Sequence, residues 1–153
     1  AAPGAGTAPG GPPPGPRPPP LAAAGAAGRV LLADDEPAVL ETAARVLERA
    51  GYLVTTAASG AEARAMLDAD PLGYAVLVSD QAMPGLDGTT LVEHARALRP
   101  DLAVVVTSGH VEDDRGARLA ALGGVIIVSK PYTRGELVAA VAGALAAMAG
   151  PSR

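Results

Sequence analysis

The 153-residue sequence contains no Cys, Phe, Trp or Asn, and a single Lys stands against eleven Arg. Without cysteine there is no disulfide framework and no thiolate metal site. Basic charge is scarce: 12 Lys and Arg face 16 Asp and Glu, for a formal net charge of -4. A nucleic-acid binder would need a basic patch, so that class is set aside. No apolar run approaches the ~20 residues of a membrane span, so direct membrane insertion is not expected. The first residues lack the basic-then-apolar order of a signal peptide. The chain starts at Ala1 rather than Met, which is compatible with a piece of a longer protein.

What abounds is small. Ala, Gly and Pro number 35, 19 and 15, together 69 of 153 residues. Such a bias follows GC-rich codons, so the informative residues are those that stand against it, Lys130 first. The length fits one domain plus a tail. Residues 1–28 hold 9 Pro, 7 Gly and 9 Ala beside Thr7, Arg17 and Leu21. This composition cannot build a core, and it is expected to be a disordered, partly polyproline-type linker. The run Arg17-Pro18-Pro19-Pro20-Leu21 could suit a proline-recognition module, although a spacer explains it without a partner. All acidic residues lie after this stretch.

From Arg29 the pattern changes to apolar runs alternating with helical periodicity. Strands are expected at Arg29–Ala33, Tyr52–Ala57, Ala75–Ser79, Leu102–Thr107 and Val125–Val128. Helices are expected from Pro37 to about Ala50, after Ser59 to Ala69, over Thr89–Leu98, over about Asp114–Leu122, and over Thr133–Met148. Strands apolar on both faces and alternating with helices indicate a parallel sheet covered on both sides, a doubly wound α/β sandwich of three layers. The domain is expected over residues 29–149, with residues 150–153 as a tail.

The polar residues fall at one recurrent place. Asp34 and Asp35 follow the first strand and Asp80 the third. Thr107 and Ser108 end the fourth, and Lys130 ends the fifth. In an open parallel sheet these positions share the carboxyl edge, where such folds place their ligands. Three carboxylates in one place raise each other's pKa unless a cation intervenes. A hard divalent ion, Mg2+ or Mn2+, suits oxygen ligands, whereas no His or Cys lies in register for zinc. Lys130 and Ser108 complete a clamp for a phosphoryl group, and a central carboxylate can serve as its acceptor.

The segments Leu31-Leu32-Ala33-Asp34-Asp35-Glu36, Ser79-Asp80-Gln81-Ala82-Met83-Pro84-Gly85-Leu86-Asp87-Gly88, Val106-Thr107-Ser108-Gly109 and Ser129-Lys130-Pro131-Tyr132 carry a resemblance. In order and spacing the chain resembles a response-regulator receiver domain from residue 30 to about 147. That resemblance implies the flavodoxin-like strand order 2-1-3-4-5. It implies Asp80 as phosphoacceptor, and a Mg2+ site of Asp34, Asp35, Asp80 and the backbone carbonyl of Ala82. Lys130 is then the phosphoryl-oxygen contact and Ser108 the switch hydroxyl, with Thr107 as the competing choice. Pro131 would support the turn after Lys130, through a cis bond in the family pattern. Two positions depart from that pattern. Ile127 stands where an aromatic ring is usual, and Ala82 removes a side chain that often tunes phosphate lifetime.

The implied function is a switch that takes a phosphoryl group from phosphohistidine and loses it slowly to water. Its partner would be a histidine kinase or a histidine phosphotransfer domain, in the cytoplasm, with no turnover of a separate substrate. The long linker, and the mere four residues after the last helix, suggest the C-terminal receiver of a hybrid histidine kinase. The rivals are a free-standing single-domain regulator, a receiver-fold interaction module that is never phosphorylated, and a small phosphatase. Leu86-Asp87-Gly88-Thr89 superficially matches a phosphatase signature, but the required Asp two residues earlier is Gly85. His94 and His110 are read as solvated. The last helix is uncharged from Leu137 to Ala149, which fits either genome-driven alanine or a surface for self-association.

Overall fold

The computed structural model describes residues 28–109 and 114–149; the expected linker up to residue 27, residues 110–113 with His110, and the last four residues lie outside these. Five strands, β1 Arg29–Ala33, β2 Leu53–Ala57, β3 Val76–Asp80, β4 Ala103–Ser108 and β5 Val125–Ser129, form one sheet in the order β2-β1-β3-β4-β5. Every neighbouring pair is parallel. Five helices connect them: α1 Pro37–Arg49, α2 Gly60–Ala69, α3 Gly88–Leu98, α4 Asp114–Leu122 and α5 Arg134–Ala149. The expected doubly wound sandwich and its strand order are thus observed. Three strands run one residue further than the sequence suggested. Asp80, Ser108 and Ser129 are themselves strand residues, because each still pairs with a neighbour (Asp80 with Thr107, Ser108 with Ser129).

Strand alternation divides the interior in two. Val30, Leu32, Val76, Val78 and Val105 point to one face, where Ala43, Ala44 and Leu47 of α1 and Leu137, Val141 and Ala144 of α5 cover them. Leu31, Ala33, Leu77, Val104 and Val106 point to the other, under Ala63 and Leu67 of α2, Leu91, Val92 and Ala95 of α3 and Leu119 of α4. The small residues of α5 therefore serve both sides of the helix, since Ala140 and Ala144 are buried while Ala139, Ala142, Ala146 and Ala147 are exposed.

Local signals set the helix ends. Pro37 opens α1. Gly51, at φ 103, closes it. The N–H groups of Gly51 and Tyr52 return to the carbonyls of Glu48 and Leu47 at 3.0 and 3.1 Å, the paired bonds of a Schellman ending. Ser59 caps α2 by accepting from the Glu62 N–H, and Asp87 caps α3 by accepting from Thr90. Thr133 and Glu136 cap α5 reciprocally, at 3.0 and 2.7 Å, which is a capping box.

Two residues behave differently from their helical pattern. Arg96 of α3 is 7% exposed. Its guanidinium donates to the carbonyls of Leu102 at 2.8 Å, Gly123 at 2.8 Å and Leu122 at 3.2 Å, and lies 3.7 Å from the Met148 sulfur. It ties the feet of α3, α4 and α5 together. His94, read as solvated, instead sets its Nε2 2.6 Å from Asp68 Oδ1 and joins α3 to α2.

Candidate functional site

The carboxyl edge of the sheet carries the site. A short β1 delivers Asp34 and Asp35 immediately before Pro37 starts α1, and β3 ends on Asp80. One carboxylate oxygen from each of these three residues lies within 4.8 Å of the others. Asp34 and Asp80 are 5% and 6% exposed, and Asp35 is the most open of the three. Asp34 Oδ1 accepts the Glu36 N–H at 2.9 Å, which fixes its carboxylate at the helix entry. Burial pushes the Asp34 carboxyl above its usual range. The Glu36 N–H opposes this, and the neighbouring charge of Asp80 adds to it.

Lys130 reaches across from the end of β5, with Nζ 3.0 Å from Asp80 Oδ1. Burial alone would pull its ammonium down, but the hydrogen bond and charge of Asp80, with Asp34 behind it, hold it above the usual lysine range. The Lys130 N–H donates to the Ser108 carbonyl at 2.9 Å, so β4 and β5 end together. The Lys130-Pro131 bond is cis, as the family pattern implied. Burial also raises the Tyr132 phenol.

Of the two hydroxyls at the end of β4, Thr107 Oγ1 donates to Asp80 Oδ1 at 3.4 Å. Ser108 is 4% exposed on the same strand end. Ala82 lies exposed on the loop from β3 into α3, and Ile127 packs half-buried on β5. Gly88 allows α3 to start close against the site. A Cβ there would lie 2.6 Å from the Asp80 carbonyl oxygen and 2.9 Å from Gln81 Cα. The sequence reading passed over Gln81 and Thr89. Both are buried, and the Thr89 hydroxyl donates to Gln81 Oε1 at 2.7 Å. Beside Lys130, α1 and the start of α5 flank a groove of about 590 Å³, lined among others by Val39, Ala43, Val46, Tyr132 and Leu137.

Three hard oxygen donors in one half-buried cluster fit a divalent cation such as Mg2+, because burial and mutual repulsion otherwise penalise their charged forms. An ammonium on the central carboxylate fits an incoming phosphoryl oxygen.

The chain matches the response regulator receiver domain family over residues 30–142. It is 36% identical over 112 residues to the sensor kinase CckA of Brucella abortus, covering 73% of this chain but only 12% of that protein. It is 32% identical over 110 residues to the response regulator receiver protein CpdR of the same organism, covering 72% of this chain and 90% of that protein. A solved response regulator receiver protein from Sinorhizobium medicae superposes with a TM-score of 0.69 at 34% identity, over 78% of this chain and 95% of that one. The fold, the rim of acidic residues and these likenesses agree, and the chain belongs to the response regulator receiver domain family of two-component signalling.

Proposed function

We propose that residues 29–149 are a phosphoryl-accepting switch in which Asp80 takes the phosphoryl group from a phosphohistidine on a partner. The observation that carries this reading is the cluster of Asp34, Asp35 and Asp80 with Lys130 Nζ 3.0 Å from Asp80. A carboxylate oxygen of Asp80 attacks phosphorus as the P–N bond breaks, and the electron pair leaves on the imidazole nitrogen. Lys130 follows the charge from the carboxylate to the phosphoryl oxygens. Asp34, Asp35, Asp80 and the Ala82 carbonyl are the groups that would hold Mg2+ or Mn2+. Such an ion, when bound, neutralises charge on the transferring oxygens. Ser108 moves toward the new phosphoryl group, with Thr107, already on Asp80, as the competing hydroxyl. Ile127 supplies no rotating ring, so any signal leaves by the shift of strand and helix ends. Pro131 holds the turn that presents Lys130. Water then cleaves the acyl phosphate and resets the site, with no other substrate turned over.

The partner is a histidine kinase or histidine phosphotransfer domain, and the apolar groove beside Lys130 gives it a surface next to the rim. Likeness to the CckA receiver, and the linker-like composition of residues 1–28, favour a place at the C-terminal end of a hybrid kinase. The near-full-length likeness to CpdR favours a free-standing regulator. Either would work in the cytoplasm, and no helix among the described residues is long and apolar enough to cross a membrane. The uncharged outer face of α5 is the surface for any self-association.

Incubation with Mg2+ and a small-molecule phosphodonor, followed by intact mass measurement, tests the reading. One added phosphoryl group, absent in Asp80→Ala, is expected. No addition, or addition that survives Asp80→Ala, would sink it.

A further inference from the structure

We propose that Gln81 is a positioning residue of this switch, whose buried amide gains a missing partner when the end of β4 is drawn toward a phosphoryl group on Asp80. The inference rests on the reading of Asp80 as phosphoacceptor. Gln81 is only 7% exposed and joins three parts of the site. Its N–H donates to the Thr107 carbonyl of β4 at 2.8 Å, and its carbonyl accepts the Gly88 N–H of α3 at 3.0 Å. Its side-chain Oε1 accepts from Thr89 Oγ1 at 2.7 Å. Its Nε2 has no partner among the described residues. The Thr89 hydroxyl can serve only one end of the carboxamide, whichever way that group is turned.

A buried donor left unpaired has lost its water and gained nothing, so it weighs against the arrangement that contains it. Here the weight falls where two arrangements meet. The backbone of residue 81 grips the end of β4 on one side and the first turn of α3 on the other. Gly88 leaves no slack between them, since a Cβ there would meet the Asp80 carbonyl oxygen at 2.6 Å. A pull on the end of β4 is therefore felt at Gln81. The acceptors carried there, the carbonyls and hydroxyls of Thr107 and Ser108, belong to the segment that Gln81 already touches. A contact made in one arrangement and missing in the other is what biases a two-state element.

Gln81 is the only glutamine, and there is no asparagine. The single side-chain carboxamide NH2 pair in a 15N–1H correlation spectrum is therefore its own. The experiment adds Mg2+ and beryllofluoride, a phosphoryl mimic, to the wild-type protein. One NH2 proton is expected to move downfield and to exchange with water about tenfold more slowly. The double variant Gln81→Leu, Thr89→Val removes both partners. It is expected to bind beryllofluoride about tenfold more weakly, equivalent to about 1.4 kcal/mol, while its unliganded Tm is unchanged or raised. The proposal is overturned if the backbone amides of Thr107 and Lys130 respond while the Gln81 pair stays in place, as it would if resident water already satisfied the amide. Wild-type affinity in the double variant also overturns it. A spectrum with no response anywhere overturns the phosphoacceptor reading, and this inference with it.

Discussion

Replacing Lys130 with methionine keeps an unbranched stem and removes the ammonium from Asp80. The two charges lie 3.0 Å apart, with side chains 29% and 7% exposed. At that separation their gross attraction is about 5 kcal/mol for an effective dielectric constant near 20. Most of it offsets the withdrawal of both ions from water, so the metal-free domain should lose about 1–3 kcal/mol in the variant. For a domain of this size that lowers Tm by roughly 4–12 °C. Adding Mg2+ should reverse the order of response. The variant presents three carboxylates with no fixed positive charge, so it should bind the cation more tightly than wild type and gain more Tm from it. Phosphoryl transfer should nevertheless slow by about 100-fold, because no ammonium meets the charge on the transferring oxygens. Thermal melts in chelator and across a Mg2+ titration, with mass-resolved phosphorylation time courses, measure all three quantities. An unchanged Tm in chelator, or a smaller Mg2+ gain than wild type, would refute the idea that Lys130 balances the acidic cluster.

Three further outcomes are expected. Gly88→Ala sets a methyl 2.6 Å from the Asp80 carbonyl oxygen, so thermal melts should show a loss of about 1–3 kcal/mol as α3 is pushed back. Arg96→Met removes the donor to the carbonyls of Leu102, Leu122 and Gly123 and should cost about 2–4 kcal/mol in denaturant titration; a loss within experimental error would show that the clamp carries no weight. The Asp34 carboxyl is raised chiefly by burial, so its contribution to metal-free stability is present below the ordinary carboxylate pKa and is lost as pH rises through the higher folded value. Asp34→Asn should therefore raise Tm in chelator at neutral pH and flatten that pH dependence, while weakening Mg2+ binding.

Much of this domain is legible in one dimension because its physics is periodic. Val76-Leu77-Val78 and Val104-Val105-Val106 are apolar on both faces, which few elements other than a covered parallel strand require. The acidic residues interrupt such runs at their ends, so their convergence on one edge follows from topology alone. Arg96 was not legible. It sits in an amphipathic helix where arginine ordinarily faces water, and the carbonyls that hold it come from as far as 27 residues away. The same holds for His94, whose partner Asp68 lies on another helix. Which of Thr107 and Ser108 donates to Asp80 turns on one residue of strand register, a step too fine for an apolar pattern to resolve. Gln81 escaped notice because a glutamine beside an acid looks solvated until the strand that buries it is drawn.

The sheet acts as a partition. One core binds α1 and α5 to it and the other binds α2, α3 and α4; besides the strands, Arg96 of α3 links the two at their foot, 3.7 Å from the Met148 sulfur of α5. The acidic rim lies at the opposite, carboxyl edge of the strands, with Asp34 and Asp35 leading into α1 and Asp80 into the loop before α3. Away from that Arg96 contact, residues on the α1–α5 side can therefore change with little effect on the packing beneath α2 and α3, and the reverse is equally true. A lineage that duplicates this gene can insulate a new pathway from its parent by altering one side of the wall, leaving the chemistry at the top untouched.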